Sequence, residues 1–247
     1  MSRIITHTNI IVDDFDFSKS FPKNTFQHFL THFHADHYEG LTPKWNYGDI
    51  HCTHQTKMFI MNKYPELERV YSYDYNKTYT LSLVEGKLDI EFTLFDAKHI
   101  PGAAMILFKG YMGTILFTGD FRYEYAMVQE SPLLFPPRYR ENQEKREIVE
   151  QMQGISVKVD EMIFDNTYCN QAFNFGISSE IAHKMINIID KNRDKKLVYI
   201  AMGALGKQEI LIEIAKYFQT LIVVSDSQYK KISLAQLRTD FLTTNEK

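Results

Sequence analysis

The segment Thr31-His32-Phe33-His34-Ala35-Asp36-His37 gathers imidazoles and a carboxylate at close spacing. It ends the apolar run FQHFLTHF (26–33), which reads as a β-strand. Side chains two apart on a strand point the same way, so His32 and His34 can bind one ion from one side. Asp36 and His37 follow as the chain turns and can face a second ion. Imidazole nitrogen and carboxylate oxygen suit zinc, with manganese and iron as competitors. Two further candidate ligands stand just past β-like runs. His99 follows LDIEFTLF (88–95) in AKHIPGA, and Asp120 closes GTILFTGD (113–120). Glycine and proline beside them permit the tight turns on which separate strands converge. The two oxygens of Asp120 can bridge two cations, and Asp36 and Asp120 are the candidate catalytic carboxylates. Asp13, after the apolar run IIV, is a candidate outer carboxylate. It would accept the second N–H of a ligating histidine and fix its tautomer, or else it is an ordinary strand-end aspartate.

The elements that must carry these groups change character along the chain. Up to about residue 120 short β-like runs dominate: NIIVDDF (9–15), FQHFLTHF, YTLSL (79–83), LDIEFTLF, AMILFKG (104–110) and GTILFTGD. The last two flank Tyr111-Met112 and predict a hairpin. Helical spacing appears at 54–63, with Thr53 as its cap. Residues 131–150 read as prolines followed by a charged helix. This is a solvated surface insertion, or alternatively a DNA-backbone contact through Arg138, Arg140, Lys145 and Arg146. Beyond 155 the order is strand (VDEMIFDN), helix (178–191), strand (KLVYIAM), helix (206–218) and strand (LIVVS). That order predicts a parallel α/β unit.

Composition bounds the reading. The chain has 247 residues, 44% of them hydrophobic and 24% charged, which suits a globular core rather than a disordered chain. Basic and acidic residues number 28 and 31, for a formal net charge of −3. Any site for a polyanion must therefore be local or built around bound cations. Cys52 and Cys169 make no disulfide framework, so a reducing compartment is expected. The N-terminus lacks the apolar core of a signal peptide, and no apolar run approaches the roughly 20 residues of a membrane span. The expectation is an intracellular protein with no membrane partner.

These motifs together resemble the metallo-β-lactamase superfamily, and within it the β-CASP nucleases of DNA repair. THFHADHYEGL, AKHIPGAAMILF, GTILFTGDFRY and IFDNTYCN carry the likeness, which extends over nearly the whole chain apart from an insertion at about 134–155. The resemblance implies an α/β fold. Residues 1–162 would form the N-terminal portion of a metallo-β-lactamase αββα sandwich, and 163–247 a partial β-CASP domain. It implies one zinc on His32, His34, His99 and Asp120, and a second metal on Asp36, His37 and Asp120. It also implies that Asp165 and Tyr168 of FDNTYC line a pocket for a DNA 5′-phosphate, with Lys207 as a further DNA contact.

Three departures accompany the likeness. The family takes another second-metal ligand from a histidine in a C-terminal Asp-His-Ser-like motif. Here the only histidine after His99 is His183, inside a helical stretch. The chain stops at Lys247, before the return that completes the fold, so a fragment or truncated product is expected. Gly203-Ala204 stand before Leu205-Gly206-Lys207, where the family has a Tyr-Ser pair.

The implied activity is a zinc-dependent 5′ to 3′ DNA exonuclease on 5′-phosphorylated ends. Its implied setting is the nucleus, in interstrand cross-link repair and telomere end processing, with a telomere-binding partner engaged through a region outside this chain. The chemistry would be in-line hydrolysis of a phosphodiester by metal-activated water. The alternatives are an RNA-processing endonuclease of the same superfamily, a small-molecule thioester hydrolase or lactamase, and a truncated protein that binds DNA ends or a partner without cutting.

Overall fold

A computed structural model describes residues 4–83, 88–123, 157–173, 175–176, 178–194, 197–203 and 205–244, together with Met127, Glu130, Ser131 and Leu134. The charged stretch with Arg138, Arg140, Lys145 and Arg146 lies outside the described residues. The chain divides into two compact units, Met1–Asp165 and Asn166–Lys247. It is a mixed α/β protein.

In the first unit, strands β1 (Ile10–Val12), β2 (Gln27–Phe29), β3 (Ile50–Thr53) and β4 (Val70–Tyr73) form a parallel sheet in that order. Helix α1 (His54–Lys63) follows β3 directly, and Thr53 Oγ1 accepts from Thr56 N at 3.2 Å to cap it. The second sheet runs β5 (Thr78–Ser82), β6 (Asp89–Asp96), β7 (Ala104–Gly110), β8 (Gly113–Phe117) and β9 (Glu161–Ile163). It is antiparallel except for the parallel pair β8 and β9. The hairpin expected about Tyr111-Met112 joins β7 to β8.

Period-two alternation builds the core. Ile10, Val12 and Phe29 face one way and pack against Phe92, Leu94, Ile106, Phe108, Ile115 and Phe117 of the second sheet. Leu30, Ile50 and Cys52 belong to a separate cluster with Phe15, Trp45 and Ile60, the last from α1. Two sheets and a helix are thus held by two apolar layers, the dominant favourable term in folding.

Histidines that play no part in the motif sit inside these layers. His28 lies against Phe15 and Trp45, with its Nε2 2.7 Å from Ser18 Oγ. His51 stacks on Phe29 and lies between Gln27 Oε1 and Tyr73 Oη, each at 2.9 Å. Burial pushes both imidazoles down to about 4 from an ordinary 6.5. The unfolded chain therefore takes up these protons first as pH falls. The stability they contribute is complete above pH 6.5 and drains away as pH drops towards 4, by about 3 kcal/mol apiece. Urea midpoints measured in steps from pH 7 to pH 4 should decline steadily through that window. A flat series would refute the neutral, buried assignment.

The second unit contains α2 (Ser178–Asp190), α3 (Gln208–Phe218), β10 (Ile222–Val223), α4 (Asp226–Leu234) and β11 (Leu242–Thr243). Leu211, Ala215, Ile232, Phe241 and Leu242 form its core. β10 and β11 pair in parallel across α4, a strand–helix–strand crossover. Three sequence expectations change here. VDEMIFDN forms its strand in the first unit, because β9 finds its hydrogen-bond partner in β8. The described residues of KLVYIAM carry no strand; Leu197 and Tyr199 are exposed, with no ladder recorded on that stretch. The predicted order ends at LIVVS, yet the chain adds β11 and, before it, α4. Ser225 followed three residues later by Gln228 was its signal, and Ser225 Oγ accepts from Gln228 N at 3.2 Å. Among the described residues no helix is long and apolar enough to cross a membrane, and both cysteines are free.

Candidate metal centre

Three loops deliver the candidate ligands, and local bonds lock each loop. After β2 the chain turns at Ala35–His37, with His37 N bonded to His34 O at 3.1 Å. The His99 loop leaves β6 through Lys98, whose φ of 54° and N–H bond to Asp96 Oδ1 at 2.8 Å reverse the chain. Gly102 closes that loop at φ +86°. Its carbonyl accepts from Thr53 Oγ1 at 2.7 Å and from Thr56 Oγ1 at 3.0 Å, and an added Cβ would lie 2.9 Å from Thr56 N. Only glycine meets both demands. The Asp120 loop follows β8 and is tied to the His99 loop by Arg122 N donating to Ala97 O at 2.8 Å.

The result is a compact cluster. One ligand atom from each of His32, His34, His99 and Asp120 lies within 4.8 Å of all the others. His34 Nδ1 is 3.0 Å from His32 Nε2 and 3.2 Å from His99 Nε2. Asp120 Oδ2 is 3.8 Å from His32 Nε2 and 3.6 Å from His99 Nε2. Ligand atoms held in a tetrahedron about 2.0–2.1 Å from one zinc stand about 3.3–3.4 Å apart, so the separations straddle the required edge. Burial, the largest influence, drives His32 down to about 2, helped by the neighbouring histidines, and lowers His34 and His99 as well. All three are therefore neutral imidazoles, the form that binds a cation. The donor set fits a metal ion.

Asp36 and His37 lie beside this group. His37 Nε2 is 3.3 Å from Asp120 Oδ1 and 3.6 Å from Asp36 Oδ2, and the Asp36 side chain is 77% exposed. The two oxygens of Asp120 thus face two different sets of side chains. A hydrogen bond from His37 holds Asp120 at about 2. Burial disfavours a proton on His37, but the Asp120 and Asp13 carboxylates outweigh it and raise the group to about 10. Asp13 is buried at a left-handed φ of 53°, and His37 Nδ1 lies 2.7 Å from its Oδ2.

The other sequence candidates divide between the two units. Asp165 donates its N–H to Thr118 Oγ1 at 3.1 Å, and its charge acts on His99. Tyr168 belongs to the second unit, where its exposed ring contacts Phe173 and Phe175. Lys207 is exposed and precedes α3. His183 sits within α2 with Nδ1 2.7 Å from Ser179 O, a local helix contact.

No family model matches the chain. The mouse (Mus musculus) protein named 5′ exonuclease Apollo is 28% identical over 245 residues, covering 98% of this chain and 41% of its own length. DNA cross-link repair protein SNM1 of Arabidopsis thaliana is 31% identical over 206 residues, covering 81% of this chain and 37% of its own. The chain is a homologue of the Apollo and SNM1 proteins. These are metallo-β-lactamase and β-CASP proteins of DNA repair, the group its motifs resemble. The chain spans about two fifths of the length of these Apollo and SNM1 relatives. A solved protein of unknown function from Enterococcus faecalis V583 shares the fold with a TM-score of 0.55 at 14% identity, covering 90% of this chain and 52% of that one.

Proposed function

We propose that this chain carries the centre of a zinc-dependent phosphodiesterase, a 5′ to 3′ DNA exonuclease that acts on 5′-phosphorylated ends in interstrand cross-link repair. The observation that supports it most is the convergence of His32, His34, His99 and Asp120 within 4.8 Å in a homologue of Apollo and SNM1. On this reading residues 1–162 are a portion of a metallo-β-lactamase domain with its αββα sandwich, and 163–247 part of a β-CASP domain. The setting is nuclear, with telomere ends and a telomere-binding protein as further partners.

His32, His34, His99 and Asp120 would hold one zinc, and Asp36, His37 and Asp120 would hold a second. Zinc bound there supplies Lewis acidity towards water and a phosphoryl oxygen. The chain's own groups do the positioning. Asp120 turns one oxygen to each set of imidazoles. Asp13 holds His37 by its Nδ1 and leaves Nε2 facing Asp120. Asp36 presents an exposed carboxylate at the rim. Asp165, Tyr168 and Lys207 are each proposed as a DNA contact. Cations held there would also offset the local acidity and let a chain of net charge −3 attract a phosphate backbone.

Matched strands, one of 5′-phosphorylated DNA and one of RNA, test the reading. The expected result is shortening of the DNA from its 5′ end, lost in chelator and regained with added zinc. Preferential cutting of RNA would reject the DNA reading in favour of an RNA-processing endonuclease. Capture of DNA ends with bound zinc and no cutting would reject the catalytic reading in favour of an end-binding protein.

A further inference from the structure

The residue ahead of the first histidine makes more contacts around the centre than its place in the motif suggests. Thr31 is buried, 1% exposed. Its N–H donates to Asp13 Oδ1 at 2.8 Å and its hydroxyl donates to Asp13 Oδ2 at 2.6 Å. A hydroxyl has one proton, so towards His32 Nδ1, 3.0 Å away, Thr31 Oγ1 acts as acceptor. His32 must then carry its proton on Nδ1, which leaves the Nε2 lone pair aimed at His34 Nδ1 and Asp120. The same Asp13 Oδ2 lies 2.7 Å from Nδ1 of His37. One carboxylate oxygen therefore orients both imidazoles, His37 directly and His32 through the threonine.

Thr31 also touches the other two loops. Its carbonyl accepts from Ala104 N at 2.9 Å, at the start of the strand that follows the His99 loop. Gly119, the neighbour of Asp120, stands at φ +53°, and a Cβ there would lie 2.9 Å from Thr31 Cβ, Cγ2 and Oγ1. The threonine rotamer is thus confined from the Asp120 side, and three ligand-bearing segments meet on one residue, two through its side chain and one through its carbonyl.

We propose that Thr31 is a positioning residue whose hydroxyl fixes the tautomer of His32 and, by sharing Asp13 with His37, couples the two histidines of the metal centre. The inference rests on the metal-centre reading above for its affinity arm, and on the protein alone for its tautomer arm. Groups that orient metal-binding histidines typically matter by about tenfold to a hundredfold in affinity.

Three variants separate the hydroxyl from the bulk. Thr31→Val keeps the shape and removes the oxygen, Thr31→Ser keeps the oxygen, and Thr31→Ala removes both. Zinc affinity is read by competition with a chromophoric chelator, and the visible bands of Co(II) report the ligand geometry. Imidazole tautomers in metal-free protein are read by long-range proton–nitrogen NMR. Thr31→Val and Thr31→Ala should bind zinc about 10–100-fold more weakly, shift the cobalt bands, and show His32 as a mixture of tautomers. Thr31→Ser should match the wild type in all three. Should Thr31→Val fail to fold, the Ser and Ala variants make the same comparison. A single Nδ1–H tautomer in Thr31→Val or Thr31→Ala, with zinc affinity unchanged, would overturn the proposal. Failure of the wild type to take up zinc would defeat the metal-centre reading instead, and the tautomer measurement would still decide the role of Thr31.

Discussion

On the proposed function, Asp120→Ala is expected to slow phosphodiester hydrolysis about a thousandfold and to remove most of the metal uptake with it. The carboxylate faces His32 and His99 with one oxygen and His37 with the other, so its loss takes a ligand from both sets. It also removes the carboxylate oxygen 3.3 Å from His37 Nε2. Lewis-acid stabilisation is worth several kcal/mol, and each 1.4 kcal/mol is a factor of ten. Loss of about 4 kcal/mol would therefore slow phosphodiester hydrolysis about a thousandfold. Metal content after dialysis and exonuclease rates on 5′-phosphorylated DNA are the two readouts. A variant with wild-type zinc content and rates within a few fold of wild type would remove Asp120 from the centre.

The second large effect is on stability. Phe29 is fully buried and lies edge-on to Phe92 and Phe108, each at 5.0 Å, while stacking on His51 at 4.8 Å. It belongs to the cluster in which residues of both sheets meet, three positions ahead of His32. Phe29→Ala removes most of a ring from a close-packed interior and leaves a cavity that the sheets cannot fill, at a cost of about 3–5 kcal/mol. That is a large share of the roughly 5–15 kcal/mol that holds a typical domain together. Urea unfolding in chelator should show the midpoint falling while the slope is retained. Added zinc should recover part of the loss, because an ion that binds only the folded state stabilises it by mass action. A loss below about 1 kcal/mol would mean that the two sheets do not depend on this ring.

Much of the local structure was legible in the residue order. The hairpin between β7 and β8, the strand β6, and the helix capped by Thr53 all depend on neighbours close in sequence. Polar and apolar alternation, turn residues and a cap carry that information within a few positions. The run NIIVDDF was legible only in part. Its strand stops at Val12 because Asp13 turns to a left-handed φ, which places its carboxylate under Thr31 and His37. The strand expected in KLVYIAM and the placement of VDEMIFDN depended on which distant edge each would pair with. A strand is stabilised by its partner, and no local pattern names that partner.

The candidate ligands divide along the same line. The spacing of His32, His34, Asp36 and His37, and the turn residues around His99 and Asp120, were enough to nominate a metal-binding chemistry from the sequence alone. The tertiary structure decided which atoms converge: Nε2 of His32 and His99, Nδ1 of His34, and Asp120 turned between two sets. It also decided that Thr31 stands at the junction of three segments. Residue types dictate which groups can donate or accept, a property of each side chain by itself. Angle, tautomer and shared partner come from loops far apart in the chain, and only the packing of the two sheets brings those loops together.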